Sequence, residues 1–123
     1  MKTSELIDLA LDWAVTSINN PDALRYGVAD WREQRRSTTK NGEFLHRYHQ
    51  SWSQGGPIIE REKLELEYYA ENDEWRSQVM YIAPNGSVFV DTSKYGTTPL
   101  VAAMRCYVAS KLGDEISIPK ELL

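Results

Sequence analysis

A chain of 123 residues, 41% hydrophobic and 26% charged, has the size and composition of one globular domain over residues 1–123, which excludes a disordered chain. Its formal net charge of −4 argues against duplex nucleic acid as a partner, because domains that bind it usually carry a basic excess. One cysteine excludes an internal disulfide, and the lack of an apolar run of about 20 residues or a signal-peptide pattern leads us to expect no membrane contact and a cytoplasmic location.

The first predicted element is an amphipathic helix that begins near Thr3 and stops before Pro21. Apolar residues recur at helical spacing, while Glu5, Asp8 and Asp12 share the opposite face. Thr3 suits the N-cap position, and a proline cannot continue the helical hydrogen bonds. We therefore expect these carboxylates to point away from the core.

Residues 22–50 have the weakest pattern in the chain and are interpreted as a variable insertion within the domain. Ala23–Arg36 has mixed helical character that Gly27 interrupts. Lys40–Gly42 then predicts a turn, and Phe44–Tyr48 predicts a short strand.

A short helix is predicted next, around a Gly-Gly-Pro sequence. Gly55 and Gly56 are typical of a turn, and Pro57 suits the first turn of a helix that continues to Glu62. We therefore expect the helix to begin at the proline.

Three antiparallel strands follow in a meander. Apolar and charged residues alternate over 64–70, which is typical of a half-buried strand, and 75–82 predicts a second strand. Asn85 and Gly86 favour a hairpin turn because both tolerate positive φ, and 87–91 returns as the third strand.

The last predicted element is a long, mostly buried helix. Thr98 caps it, Pro99 occupies the first helical position and Gly113 lies just past its end. One side is a stripe of large apolar residues, and the other side is small and suits a helix-to-helix contact in a homo-oligomer. The small side consists of Ala102, Ala103, Cys106 and Ala109. The fold class is therefore α+β, with an antiparallel sheet of three to four strands packed with an N-terminal helix and the long C-terminal helix.

Catalytic and metal-binding residues are not evident. His46 and His49 have too few companions for a closed zinc site, so we expect no metal or cofactor. Cys106 lies within a buried helix, where a thiol is a small core residue rather than a nucleophile. Glu65 and Glu67 share one strand face, which is typical of a solvated sheet surface. We expect no catalytic residue and no enzymatic activity.

An anion site is the best-supported binding hypothesis. The segment from Thr92 to Thr97, with Lys94, leads into a capped helix whose backbone N–H groups suit a phosphate. Arg105 is a guanidinium in a nearly uncharged helix, so it needs either Glu60 or Glu62 as a partner or an anionic ligand. The predicted ligand-binding residues are Trp52, Gly55, Gly56, Arg61, Thr97, Thr98 and Arg105.

Three stretches of the chain resemble the NinX-type accessory proteins of lambdoid and related bacteriophages. They are Ala10–Val15, Ser51–Glu62 and Thr98–Gly113, and the last is long and specific. The resemblance covers roughly the first 18 residues and everything from Ser51 onward. It implies a small phage accessory protein made in the cytoplasm of an infected host bacterium.

Three classes of function compete at this point. The first is non-enzymatic binding, for instance counter-defence by sequestration of a small anionic host signal such as a cyclic nucleotide. The second is a protein-interaction module that modulates a host or phage protein through residues 22–50 and their cluster from Trp31 to Arg36. The third is a hydrolase, which ranks last because no nucleophile, base or metal set is visible.

Overall fold

The computed structural model describes residues 1–123 and contains four α-helices, three 3₁₀ turns and one antiparallel sheet with the strand order β1-β2-β3. The helices are α1 (Asp8–Asn19), α2 (Val28–Gln34), α3 (Trp52–Glu62) and α4 (Pro99–Leu112), and the strands are β1 (Glu65–Tyr69), β2 (Glu74–Ile82) and β3 (Val88–Gly96). The predicted α+β fold is confirmed. No helix is both long and apolar enough to cross a membrane.

Helix α4 is the centre of the molecule. The Thr98 hydroxyl accepts a hydrogen bond from the Val101 N–H at 3.1 Å, and Gly113 ends the helix with φ 91°, as predicted. The helix packs against β2 and β3 on one side and against α1 and α3 on the other. Gly96 at the end of β3 lies so close that a Cβ there would be 2.6 Å from the Ala102 nitrogen. All four residues of the small side of α4 are buried within the protein, so the predicted dimer contact there is wrong.

The third strand of the sheet is longer than the sequence predicts. β3 runs to Gly96, which pairs with Trp75, so the predicted loop from Thr92 to Thr97 is mostly strand. β1 pairs only with the first half of β2, from Glu65 opposite Gln78 onward. The far half of the β2–β3 hairpin therefore extends beyond β1.

The N-terminus differs from the predicted helix start. Thr3 is fully buried in a 3₁₀ turn, and its N–H donates to the Asp114 carbonyl at 2.8 Å. Helix α1 begins only at Asp8, after Ile7, and it ends at Asn19 before the proline as predicted. Thr3 is therefore not an N-cap, because its backbone is used to attach the N-terminal segment to the end of the chain.

Residues 22–50 form a 3₁₀ turn, α2 and an irregular connection that covers one face of α1. The predicted turn at Lys40–Gly42 is confirmed, with Gly42 at φ 81°. The predicted strand over Phe44–Tyr48 is wrong, since only an isolated bridge joins Thr38 to Phe44. His46 has φ 56°, a left-handed conformation that a continuous strand excludes.

Helix α3 exists as predicted but begins five residues before Pro57, at Trp52. Gly55 is therefore inside the helix rather than in a turn. A Cβ on Gly55 would lie 2.7 Å from both the Tyr48 carbonyl and a methyl of Leu100. The glycine permits α3 to approach α4 and the preceding connection closely, which local turn statistics cannot reveal.

Candidate functional site

A buried charge network joins α1 to the 22–50 segment. Asp12 is fully buried, and one of its carboxylate oxygens accepts from the Arg35 Nη2 at 3.0 Å. The other oxygen lies 2.7 Å from the His49 Nδ1 and 3.3 Å from the His49 backbone nitrogen. The prediction that Asp12 points away from the core is wrong, because the 22–50 segment covers that face of α1.

Arg35 is only partly satisfied by this network. Its side chain is 5% exposed, its Cζ lies 5.0 Å from the centroid of the Trp31 ring, and its Nε and Nη1 are buried without a hydrogen-bond partner. Burial lowers the pKa of Arg35, Asp12 opposes that effect, and the like charges of Arg47 and Arg32 lower the pKa further. A buried cation with two unused donor atoms is the arrangement that an incoming anion would stabilise.

A cavity of about 540 Å³, here called the arginine cavity, lies beside this network. It is lined by Asp8, Leu9, Ala29, Arg32, Glu33, Arg35, Arg36, Arg47, His49 and Gln50. Four of these residues are arginines, two are carboxylates and only two are hydrophobic. Such a lining favours a polar anion over an apolar ligand.

The remaining arginines of the cavity are weakly neutralised. Arg47 donates to the Arg35 carbonyl at 3.2 Å, but its Nε is buried and unpartnered. Arg36 has one distant, exposed contact with Glu33, at 3.8 Å. Arg32 makes no ion pair with any carboxylate, so positive charge remains available at the cavity wall.

His49 connects the arginine cavity to a second one. A smaller cavity of about 280 Å³, here called the tryptophan cavity, is lined by His49, Gln50, Trp52, Thr98, Pro99 and Leu100. His49 and Gln50 belong to both cavities. The Trp52 side of this pair is aromatic and 54% of Trp52 is exposed, whereas the arginine side is cationic.

Only two of the seven predicted ligand-binding residues, Trp52 and Thr98, line either of these cavities. Gly55 is buried at the α3–α4 contact, and Gly56 has open space around it. Thr97 is exposed and precedes the helix cap. Arg61 lies elsewhere, donating to the Asn19 side chain at 3.1 Å and to the Tyr107 hydroxyl at 3.2 Å. Trp52 and Thr98 therefore lie beside the tryptophan cavity, and none of the seven predicted residues lines the arginine cavity.

Arg105 is a structural residue with partners that differ from those predicted. Its Nε donates to the Leu6 carbonyl and its Nη1 to the Tyr95 carbonyl, both at 2.8 Å. Neither Glu60 nor Glu62 is its partner. Glu62 instead pairs with Arg61 at 3.0 Å and with Lys111 at 2.7 Å. The pairing was mispredicted because backbone carbonyls carry no signal in a sequence.

Lys94, the lysine of the predicted anion site, also has a partner within the protein. Lys94 forms an ion pair with Asp114 at 3.0 Å, which links β3 to the segment after α4. Lys94 and Arg105 therefore lie outside both cavities and hold the fold together instead.

The other candidates are explained by packing. Cys106 is fully buried, and burial raises its pKa to about 11, so it is the core residue that was predicted. His46 is buried and pairs with the Gln34 side chain at 2.9 Å. No group of three His, Cys, Asp or Glu side chains is arranged to hold a metal ion. Glu65 and Glu67 are exposed on the sheet, as expected, and contact Gln78 and Arg76.

Sequence reasoning missed the arginine cavity because its members are scattered along the chain. Arg35 and Asp12 are 23 positions apart and His49 and Asp12 are 37 apart, so no local spacing predicts their contact. The available signal was the density of arginines in a weakly patterned segment, which had been interpreted as an exposed docking cluster. Trp31 and Arg35 of that cluster are buried, which argues against the docking interpretation.

A family model described as bacteriophage P22, NinX matches residues 2–111. The match extends through residues 22–50, and it includes every residue of both cavities. No curated protein matches the sequence.

Proposed function

We propose a binding function for this protein, starting from the premise that the chain belongs to the bacteriophage P22 NinX family. The protein binds a small anionic, nucleotide-like molecule without changing it chemically. Its role is to sequester such a host signal in the cytoplasm of the infected bacterium, as a counter-defence. One observation carries the proposal: Arg35 is buried beside the arginine cavity with two donor atoms that lack a partner.

The anionic end of the ligand lies in the arginine cavity. Guanidinium groups match phosphate oxygens in geometry and stay charged at all physiological pH values. Asp12 fixes the orientation of Arg35 through the 3.0 Å ion pair, so little side-chain entropy is lost when the ligand binds. Arg32, Arg36 and Arg47 add a positive field that attracts the ligand from solution.

The nucleotide-like character follows from the tryptophan cavity. Trp52 offers an aromatic ring at a cavity that shares His49 and Gln50 with the arginine cavity. A base stacked on an exposed aromatic side chain gains roughly 1–3 kcal/mol. A ligand with a phosphate at one end and a flat ring at the other fits the two cavities together.

Binding is proposed rather than catalysis because four arginines dominate the wall of the arginine cavity, and its one imidazole, His49, is held by the buried Asp12 at 2.7 Å. Guanidinium groups donate hydrogen bonds but do not transfer protons near neutral pH. The thiol of Cys106 is buried in the core with its pKa raised to about 11, so it is no nucleophile for this site.

The experiment is native mass spectrometry of the protein purified from infected bacteria. The wild-type protein should carry a reproducible added mass, and Arg32→Gln with Arg36→Gln should lose it, because both side chains are exposed and contribute charge rather than stability. The matched control is Arg25→Gln, an exposed arginine outside both cavities. A wild-type protein without any added mass, or a mass retained by the double variant, would contradict the proposal.

A second candidate function is self-association through the end of the β2–β3 hairpin. The stretch Met80–Val90 contains no charged residue, and six of its apolar side chains are exposed. They are Met80, Tyr81, Ile82, Val88, Phe89 and Val90. A second copy of this chain is the proposed partner, because an uncharged apolar surface brings two copies of equal net charge into contact with little local repulsion.

Sedimentation velocity at increasing protein concentration tests this second candidate. The wild-type protein should form a dimer, and Phe89→Lys should stay monomeric because it places a charge in the contact. Tyr26→Lys is the control, because Tyr26 is 76% exposed and lies outside the hairpin. A wild-type protein that remains monomeric throughout would rule out self-association and leave a host or phage polypeptide as the partner to seek.

A further inference from the structure

We propose that the ligand is a dinucleotide, whose phosphates lie in the arginine cavity between two bases, one stacked on Trp52 and the other on Phe44. This inference rests on the proposed function and adds a second base to the same ligand. The feature behind it is a third cavity of about 290 Å³, here called the phenylalanine cavity, which contains Phe44.

The arginine cavity lies between the other two cavities. It shares His49 and Gln50 with the tryptophan cavity, and it shares Arg47 and Gln50 with the phenylalanine cavity. The two outer cavities have only Gln50 in common. An extended ligand can therefore occupy both outer cavities with its middle part beside the arginines.

Each outer cavity contains one exposed aromatic side chain. Phe44 is 50% exposed in the phenylalanine cavity, and Trp52 is 54% exposed in the tryptophan cavity. Outside the sheet the chain has one other exposed aromatic residue, Tyr26. Every nucleic-acid base has a flat face that can stack on an aromatic ring. Two such rings on either side of a cationic cavity match a ligand with phosphate between two bases.

Arg47 connects the proposed base site at Phe44 to the phosphate site. Its Cζ lies 5.3 Å from the centroid of the Phe44 ring, so the guanidinium covers one face of the ring and a base can stack on the other. The same side chain lines the arginine cavity. Gln54 of α3 fixes the backbone of both residues, because its amide donates to the Phe44 carbonyl at 2.7 Å and accepts from the Arg47 N–H at 2.8 Å. The ring and the cation are thus positioned before the ligand arrives, which lowers the entropy cost of binding.

The Glu43 carboxylate in the phenylalanine cavity suits the amino edge of a base. Its Oε2 accepts hydrogen bonds from the Ser51 hydroxyl, at 3.0 Å, and from the Ser53 hydroxyl. The hydrogen bonds from Ser53 and Ser51 lower the pKa of Glu43, so the carboxylate only accepts hydrogen bonds at neutral pH. Protein carboxylates can accept from the exocyclic amino group of a base. This cavity therefore favours a base that carries such a group, for example adenine.

Isothermal titration calorimetry at pH 8 tests the inference with two probes, adenosine 5′-monophosphate and diadenosine diphosphate. The second probe consists of two adenosines joined through a 5′,5′-diphosphate. Both probes carry two negative charges at this pH, since the second ionisation of a phosphate monoester has a pKa of about 6. They therefore differ in the number of bases and not in charge. We expect diadenosine diphosphate to bind at least about fivefold more tightly, which corresponds to one further base stacked on an aromatic ring.

Substitutions of Phe44 locate the second base. Phe44→Leu removes the aromatic ring but keeps an apolar side chain, so its affinity for diadenosine diphosphate should fall to that for the monophosphate, which should stay nearly unchanged. Phe44→Tyr keeps a ring and should bind both probes as the wild-type protein does. Tyr26→Leu is the matched control, because Tyr26 is also exposed, with the Cζ of Arg25 6.0 Å from its ring centroid, but lies outside all three cavities. Thermal melts establish that each variant is folded.

The outcomes distinguish this inference from the function on which it rests. Equal affinity of the wild-type protein for both probes would overturn the second base site and leave the proposed binding of a one-base ligand intact. Tighter binding of diadenosine diphosphate that Phe44→Leu retains would overturn the role of the phenylalanine cavity. A single-stranded oligoadenylate that binds more tightly than diadenosine diphosphate would overturn the free dinucleotide in favour of a nucleic-acid strand. If neither probe binds the wild-type protein, the proposed function fails together with the inference.

Discussion

At the scale of single residues, the fully buried carboxylate of Asp12 joins Arg35 to His49. Asp12→Asn should destabilise the fold by about 3–5 kcal/mol, because it leaves the buried Arg35 guanidinium without its counter-charge. The measurement is urea unfolding followed by tryptophan fluorescence. Asp22→Asn is the matched control: its ion pair with Arg25 is 3.7 Å long and exposed at both ends, so the loss should stay below about 1 kcal/mol. Equal losses in the free energy of unfolding for the two variants would show that the buried ion pair contributes no more to stability than the exposed one.

Arg105 is a second single residue to test, and we expect it to contribute to stability and not to ligand binding. Arg105→Ala should lower the free energy of unfolding by about 1.5–3 kcal/mol, because charge-assisted hydrogen bonds to the Leu6 and Tyr95 carbonyls are lost. Ligand affinity at the arginine cavity should not change, since Arg105 does not line it. Thermal melts and calorimetry on the same sample check both statements. An unchanged melting temperature with abolished binding would restore the ligand role predicted from the sequence.

At the scale of elements, the contact of α3 with α4 depends on one glycine of an adjacent pair. Gly55→Ala should destabilise the protein by about 1–3 kcal/mol, because its Cβ would lie 2.7 Å from the Tyr48 carbonyl and the Leu100 side chain. Gly56→Ala meets no atom within 4 Å and should stabilise α3 by about 0.4–1 kcal/mol. Chemical denaturation of the two variants gives the comparison. If both substitutions changed the free energy of unfolding in the same direction, the result would contradict the close packing of α3 on α4.

The elements that the sequence predicted well are those with local signals. Helix α4 has its cap at Thr98, its proline at the first position and its glycine at the end, and the β2–β3 hairpin has Asn85 and Gly86 at its turn. These signals act within a few residues, so a single sequence contains all of them. The start of α3 was mispredicted because a tertiary contact, at Gly55, overrides the turn preference of its glycines.

The candidate site was less predictable for the same reason. Trp52 and Thr98 were predicted from local signals, an aromatic residue and a helix cap, and both line the tryptophan cavity. Asp12, Arg35 and His49 meet only when the connection after α2 covers α1, and two of these residues had been assigned to other environments. A sequence pattern records periodicity along one element, whereas this network joins three separate segments.

At the scale of the whole molecule, alkaline pH should unfold the protein, because the unfolded chain releases protons from cysteine and tyrosine side chains that are buried in the folded protein. Burial raises the pKa of Cys106 to about 11, and burial also raises the pKa values of Tyr48 and Tyr107. Between their ordinary pKa values and the raised ones, the unfolded chain has lost these protons while the folded protein retains them. The stabilisation is therefore complete below about pH 9 and is lost as the pH rises toward the folded-state values.

The contribution of Cys106 to this loss is separable from that of the tyrosines. It should amount to about 2–3 kcal/mol between pH 9 and pH 11. Urea unfolding across this range should show a falling free energy of unfolding for the wild-type protein and a shallower fall for Cys106→Ala, which keeps both tyrosines. The alanine variant is less stable at every pH because it leaves a small cavity in the core, so the slope, rather than the absolute stability, is the quantity to compare. Identical slopes for the two proteins would mean that the thiol ionises as easily in the folded protein as in the unfolded chain. That result would contradict the complete burial of Cys106 beneath β3.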